Sequence, residues 1–158
     1  MTDLDAAAAA AIARLNEKSA LPALPEVRET FGFFDDWEDR YRYVIELGKQ
    51  LAPLPDPWRN ERTLVRGCQS QVWLITAHDR KHDRLLLAID SDAHIVRGLA
   101  ALVTLSLSGR SPAEILETDL ESLFSELDLL SHLSPSRGNG LRAMLARIQE
   151  SASAAELG

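Results

Sequence analysis

Val65-Arg66-Gly67-Cys68-Gln69-Ser70-Gln71-Val72-Trp73-Leu74-Ile75-Thr76-Ala77 governs the reading of everything around it. From Val72 onward, bulky apolar residues stand on both faces of an extended segment. Val72 and Leu74 fall on one side, Trp73 and Ile75 on the other. A strand of that kind is covered from both directions. The half before it is different in character: a glycine, then Gln-Ser-Gln, polar and lightly built, forming a loop tip between this strand and a preceding extended pair, Leu64-Val65. At the tip stands Cys68, the chain's single cysteine. A cysteine used for packing has apolar neighbours and behaves as a small hydrophobe. Cys68 has none beside it, so its sulfur is expected to be available to another molecule.

Working outward, His78-Asp79-Arg80-Lys81-His82-Asp83 reads as a charged turn and Leu85 to Ile89 as a third strand. Asp90-Ser91-Asp92 is expected to cap a helix running through Leu107. Its residues Ile95, Val96, Leu99, Leu102, Val103 and Leu105 leave little polar surface, which makes it the central buried helix. Ser111-Pro112-Ala113-Glu114 opens a short helix with proline at its first position. Asp119 to Leu130 reads as helix with breaks. Ser134-Pro135-Ser136-Arg137 begins a last helix with the stripe Leu141, Met144, Leu145 and Ile148, fraying from Ser151. Upstream, a short helix spans Glu26 to about Phe33. Asp35 or Asp36 then caps another, on which Trp37, Tyr41, Val44, Ile45, Gly48 and Leu51 recur at helical spacing. Pro53, Pro55 and Pro57 end it. The first 18 residues favour helix by alanine content but are set off by Leu21-Pro22-Ala23-Leu24-Pro25. The expected fold class is therefore α+β, with a small antiparallel sheet of about three strands packed against several helices. Residues 1–20 are expected to form an appended extension, 21–152 one domain, and 153–158 a frayed tail.

A chain of 158 residues suits one domain with a real core. Its apolar share of 46% and charged share of 26% exclude the disordered and membrane classes. With 24 acidic against 17 basic residues the net charge is −7, which argues against nucleic acid as a partner. One cysteine makes no internal disulfide, as suits a reducing compartment. The alanine run Ala6 to Ala11 has the look of a secretory segment, but Asp3 and Asp5 stand where such a signal needs a basic start. No uncharged apolar stretch reaches the roughly 18 residues of a membrane span. The expected location is the cytoplasm.

Gly67-Cys68-Gln69-Ser70-Gln71-Val72-Trp73 resembles the signature loop of the SufE family, sulfur acceptors that serve cysteine desulfurases in iron–sulfur cluster biogenesis. Three further blocks resemble the family in the same order. They are Trp37-Glu38-Asp39-Arg40-Tyr41-Arg42-Tyr43-Val44-Ile45-Glu46-Leu47-Gly48, then Asp90-Ser91-Asp92-Ala93 with Ile95-Val96-Arg97-Gly98-Leu99, then His132-Leu133-Ser134-Pro135-Ser136-Arg137 with Gly140-Leu141 and Ala143-Met144. The resemblance covers roughly residues 24 to 150. It departs at the alanine-rich extension and at Ser134, where the family leads one to expect threonine.

The resemblance implies a SufE/IscU-like fold and a persulfide relay. A pyridoxal phosphate enzyme, SufS-like or CsdA-like, would hold sulfur as a persulfide on its own cysteine. Cys68 would take that sulfur and pass it to a SufBCD-type cluster scaffold. The chain would carry no cofactor and no metal of its own, and would act as a transfer protein and activator more than as a free-standing enzyme. Contact with the desulfurase is assigned to the loop neighbours Gly67, Gln69, Ser70 and Gln71, and to Asp90, Asp92 and Arg137. Independently of the family, a carrier needs one reachable thiol and no second thiol to resolve its persulfide, and this chain has one. Arg66 or Arg62 is placed in sequence to favour the thiolate.

Other chemistry-bearing residues have plainer readings. His78 and His82 are four apart, a spacing two metal ligands can use, but they fall in a charged turn with no third ligand. His94 and His132 are single residues at helix starts. Asp90 and Asp92 form a carboxylate pair that capping explains, and Trp37 and Tyr41 have the spacing of core packing. Arg137 is less easily explained, because a cation at a helix start gains nothing from the dipole. Three rival functions stay open: an iron–sulfur scaffold, disfavoured because clusters are held by several thiolates; a regulator that binds a desulfurase without carrying sulfur; and a thiol peroxidase with an external resolving thiol.

Overall fold

The apolar alternation beginning at Val72 becomes β1 (Val72–Asp79), and the next apolar run becomes β2 (Arg84–Ser91). They pair antiparallel from Val72 opposite Ser91 to Asp79 opposite Arg84. Asp83 closes the turn at φ 47°, a left-handed conformation that aspartate tolerates better than most residues. The structure, a computed structural model, describes residues 3–67 and 70–157; the expectations attached to Cys68 and Gln69 lie outside the described residues. Around the hairpin, in chain order, are α1 (Asp3–Lys18), α2 (Leu24–Phe33), α3 (Trp37–Gln50), α4 (His94–Leu107), α5 (Pro112–Glu117), α6 (Leu120–Glu126) and α7 (Pro135–Leu157). Single 3-10 turns stand at Asp56–Trp58 and Leu130–His132. The fold is α+β, with two strands among the described residues where about three were expected. The Leu64-Val65 segment makes only an isolated bridge to Trp73, because Asn60 to Thr63 behind it is already a turn. The opposite edge is covered the same way, by a bridge between Leu85 and Arg110.

Both faces of the hairpin are covered, as the sequence of β1 requires. Val72, Leu74, Leu85, Leu87 and Ile89 enter the main core with α4 and α7. Trp73, Ile75, Ala77, Leu86 and Ala88 form a second cluster with Ala9 and Ile12 of α1. The amino-terminal helix is thus part of the body, not an appendage. Asn16 fastens it: its Nδ2 donates to the Leu87 carbonyl at 3.0 Å and its Oδ1 accepts from the Ser108 hydroxyl at 2.6 Å. The carboxyl end differs from expectation too. α7 stays helical through Leu157, held by Ala152, which is fully buried.

α4 is the central buried helix. Its N-cap is Ala93, which makes no side-chain cap, so the expected capping by Asp90-Ser91-Asp92 is replaced. Ser91 Oγ takes the Ala93 N–H at 3.2 Å, while the two aspartates work elsewhere. α3 crosses α4 at two glycines. A Cβ on Gly48 would lie 2.7 Å from the Gly98 nitrogen, and one on Gly98 would strike the Val44 carbonyl. Asp36 caps α3 by accepting from Asp39 N–H, and Ser111 with Glu114 forms a capping box on α5, both as the residue types suggest. Among the described residues, no helix is long and apolar enough to cross a membrane.

Candidate functional site

The residues before and after the cysteine loop are tied to each other. Val65 N–H donates to the Val72 carbonyl at 2.7 Å, and Leu74 N–H donates to the Thr63 carbonyl at 2.8 Å. The loop therefore leaves and rejoins the sheet at one place. A second set of ties fixes its exit. Asp92 Oδ1 accepts from Gln71 N–H at 3.0 Å, Asp92 N–H returns a bond to the Gln71 carbonyl at 3.3 Å, and the Ser91 hydroxyl reaches the same carbonyl at 2.7 Å. A third set, from α7, fixes its start. Arg147 donates through one nitrogen to the Leu64 carbonyl at 2.8 Å and through the other to the Arg62 carbonyl.

α7 is the platform on which the flanks of the loop rest. Arg147 holds Arg62 and Leu64; one turn toward the amino end, Gly67 stands against Ala143, where a Cβ on the glycine would make ordinary contact at 3.8 Å. Gly67 has φ 89°, and glycine adopts that conformation without the steric cost other residues meet. Further along the helix, Ser70, Ser136 and Arg137 rim a cleft of about 130 Å³ floored by Val72, Val96, Leu99, Leu141 and Met144. An apolar floor disfavours an ionised group and a guanidinium favours one, so the cleft suits a group whose charge is compensated by Arg137. Arg137 itself is steadied by α3: its Nη1 donates to the Tyr41 hydroxyl at 2.7 Å. Beside that contact, Trp37 of α3 stacks on His132, ring centroids 3.8 Å apart, fastening the turn that leads into α7.

The sequence-assigned residues fall into three groups. Ser70 and Arg137 share the cleft, Gln71 and Asp92 bond to each other, and Gly67 lies on α7. Asp90 stands apart and is corrected. At 1% exposure it has no surface to give a partner. Its carboxylate accepts from Arg97 at 2.7 Å, from Leu54 N–H at 2.9 Å and from Ser91 N–H at 2.8 Å. Arg97 in turn donates to the Gly48 and Leu51 carbonyls, satisfying orphan groups at the end of α3. Sequence reading missed Arg147, and it read Tyr41 as packing alone. Arg147 sits three residues past Met144, at the edge of an apolar stripe, and nothing in its neighbours announces that it grips another segment.

The family model described as "SufE: Fe-S metabolism associated domain" matches residues 25–152, most of the chain. The chain belongs to the SufE family. That membership ties this SufE-family chain to iron–sulfur metabolism. Two similar proteins are an uncharacterised SufE-like protein of Rhizobium meliloti (strain 1021), 46% identical over 84% of this chain and 96% of its own length, and one of Rhizobium etli, 46% identical over 86% and 93% respectively. The fold is similar to that in the solution structure of a hypothetical protein from Thermus thermophilus. The TM-score is 0.67 at 23% identity, covering 87% of this chain and all of that one. The SufE match starts inside α2, so α1, which closes the outer face of the hairpin, lies outside the matched span.

His78 and His82 are engaged in local pairs. His78 Nε2 meets Asp83 at 3.0 Å and His82 Nδ1 meets Asp79 at 2.9 Å, both within the hairpin turn. Arg84 joins the second pair at 2.9 Å, and it, ahead of His82, holds the Asp79 carboxyl down to about 2. Among the described residues no group of three or more His, Cys, Asp or Glu could hold a metal ion.

Proposed function

We propose that this SufE-family protein is a cytoplasmic sulfur acceptor and activator for a pyridoxal phosphate-dependent cysteine desulfurase of the SufS or CsdA kind. Cys68 is its reacting group. The thiolate of Cys68 attacks the outer sulfur of the desulfurase's cysteine persulfide. The S–S bond of that persulfide breaks, its inner sulfur leaves as the desulfurase thiolate, and Cys68 becomes the persulfide. The transferred sulfur is already oxidised, so the exchange needs no external oxidant. A SufBCD-type scaffold then takes the sulfur by the same kind of attack. Pyridoxal phosphate belongs to the donor enzyme, and the carrier has no cofactor of its own.

The observation that carries this reading is the placement of the chain's single cysteine in its family's signature loop, with both flanks of that loop tied down. Thiol exchange depends on nucleophilicity, thiolate fraction and access. Ties at Val65–Val72, Gln71–Asp92 and Arg62/Leu64–Arg147 reduce the ordering cost of presenting a loop to another protein. Absence of a second cysteine means that a persulfide on this chain is not resolved internally.

The test is intact-mass analysis without reductant after mixing the protein with a cysteine desulfurase and L-cysteine. The expected result is a gain of one or more sulfur masses that reductant removes and that the Cys68→Ser variant does not show. An unchanged mass with an active cognate desulfurase would overturn it. Stimulation of the desulfurase that survives Cys68→Ser would leave a regulator that carries no sulfur.

A further inference from the structure

The segment that delivers the chain to Cys68 is basic in an acidic protein. Between residues 59 and 71 stand Arg59, Arg62 and Arg66 against the single Glu61, while the whole chain carries −7. Arg59 is taken up internally, donating twice to the Leu54 carbonyl and pairing with Asp56. Arg62 and Arg66 are exposed, and neither side chain has an acidic partner among the described residues. α7 adds two more guanidiniums that no carboxylate neutralises among the described residues. Arg147 spends its nitrogens on the Leu64 and Arg62 carbonyls, and Arg137 on the Tyr41 hydroxyl. These two are ten residues apart on one helix, about 15 Å along its axis, and Gly67, on the near flank of the loop, meets the helix between them at Ala143. The carboxylates on these segments are Glu61 before the loop and Glu150 and Glu156 on the last three turns of α7, while Asp92, just past β2, is bonded to Gln71 N–H.

We infer that Arg62, Arg66, Arg137 and Arg147 form a cationic rim around the cysteine loop that docks an acidic surface surrounding the persulfide cysteine of the desulfurase. The inference rests on the sulfur-acceptor reading and adds the sign of the partner's charge. Charge complementarity carries it. On a body of net −7, cations gathered at one loop orient the molecule in the field of an anionic partner, and the body's own charge repels wrong-way encounters. Of the four, Arg62 and Arg66 are the ones whose side chains support nothing else in the fold, so they are the residues to change.

The experiment follows the initial rate of sulfur loading on Cys68 against desulfurase concentration, at low and high sodium chloride, by quenched intact mass. For the unsubstituted protein the sub-saturating rate is expected to fall steeply with salt. The Arg62→Glu/Arg66→Glu variant is expected to raise the half-saturating concentration by about tenfold or more and to flatten the salt dependence. The maximal rate also reports any effect of these arginines on the Cys68 thiolate, so the rim is read from the half-saturating concentration, and a fall in maximal rate with an unchanged half-saturating concentration would overturn it. The Arg62→Lys/Arg66→Lys variant keeps the charge and should behave as the parent, and thermal melts of both check the fold. Loading indifferent to salt and to the charge reversal would overturn the rim alone. No loading of the unsubstituted chain at any salt would overturn the sulfur-acceptor reading, and the rim with it.

Discussion

Arg97 and Asp90 show how much one pair can hold. The carboxylate is buried, receives a guanidinium and two backbone N–H groups, and the guanidinium goes on to two carbonyls at the end of α3. A buried pair of this kind adds little over an apolar replacement, but breaking it strands the surviving partner. Asp90→Ala is therefore expected to cost about 3–5 kcal/mol in urea unfolding, leaving Arg97 without a counter-ion and Leu54 N–H without an acceptor. Asp92→Ala removes one exposed bond to Gln71 and should cost about 1 kcal/mol. Equal losses in the two variants would refute the assignment of one aspartate to the core and the other to the loop. In sequence the two are near-identical neighbours. Their division of labour comes from where β2 ends: Asp90 lies inside the strand and meets Leu54 and Arg97, Asp92 lies past its last residue, Ser91, and meets Gln71, and no local pattern carries that information.

At the scale of elements, glycine decides how α3 meets α4. Gly98→Ala would gain up to about 1 kcal/mol in helix propensity. It would also drive a Cβ into the Val44 carbonyl, where the backbone of α3 has no rotamer to yield, and overpacking of that kind costs about 1–3 kcal/mol. The net expectation is a lower melting temperature; a higher one would show that the helices can part at no cost. α1 gives a second case. Ile12 is 1% exposed against the outer face of the hairpin, so Ile12→Ala should cost about 2–5 kcal/mol, as in any core, where an appendage would show almost nothing. The sequence of β1 implies a cover over Trp73 and Ile75, and the alanine-rich start is an available candidate. The prolines that follow make that start look separate, yet prolines mark a change of direction without saying where the chain goes next. Most other elements are legible from period and caps, as with Asp36 on α3 and Ser111 on α5. The expected strand at Leu64-Val65 is the exception, because a single bridge beside β1 looks in sequence like a short strand. Within the site, Ser70 and Arg137 are legible through motif, and their meeting in one cleft requires the packing of α7. Arg147 is not legible, since a long side chain bonding to backbone carbonyls of a distant segment leaves no periodic trace.

For the whole molecule, acid is the condition that reaches several of these elements together. Asp79 in the hairpin turn is held to about 2 from an ordinary 3.8 by Arg84 and then His82. Asp119 at the start of α6 is lowered by the Ser122 hydroxyl and N–H, and Asp128 before α7 by the Ser131 hydroxyl. A carboxyl lowered in the folded state stabilises that state above its unfolded pKa, and the stabilisation is lost as pH falls through the folded value. Melting temperature is thus expected to change little from about pH 8 to 5 on account of these groups and to decline as pH drops from about 4 toward 2. All three sit near the surface, so salt should shrink the decline. Asp79→Asn removes the most strongly shifted of them and should leave a shallower acid limb, with the parent and variant curves converging as pH approaches about 2. An acid limb of unchanged depth in Asp79→Asn would show that the hairpin pair does not contribute. The same titration discharges the acidic body while the arginines of the cysteine loop stay charged, so the molecule changes from a net anion with a cationic rim to a cation throughout. The salt sensitivity of desulfurase encounter should then be measured near neutrality, where the contrast between rim and body is intact.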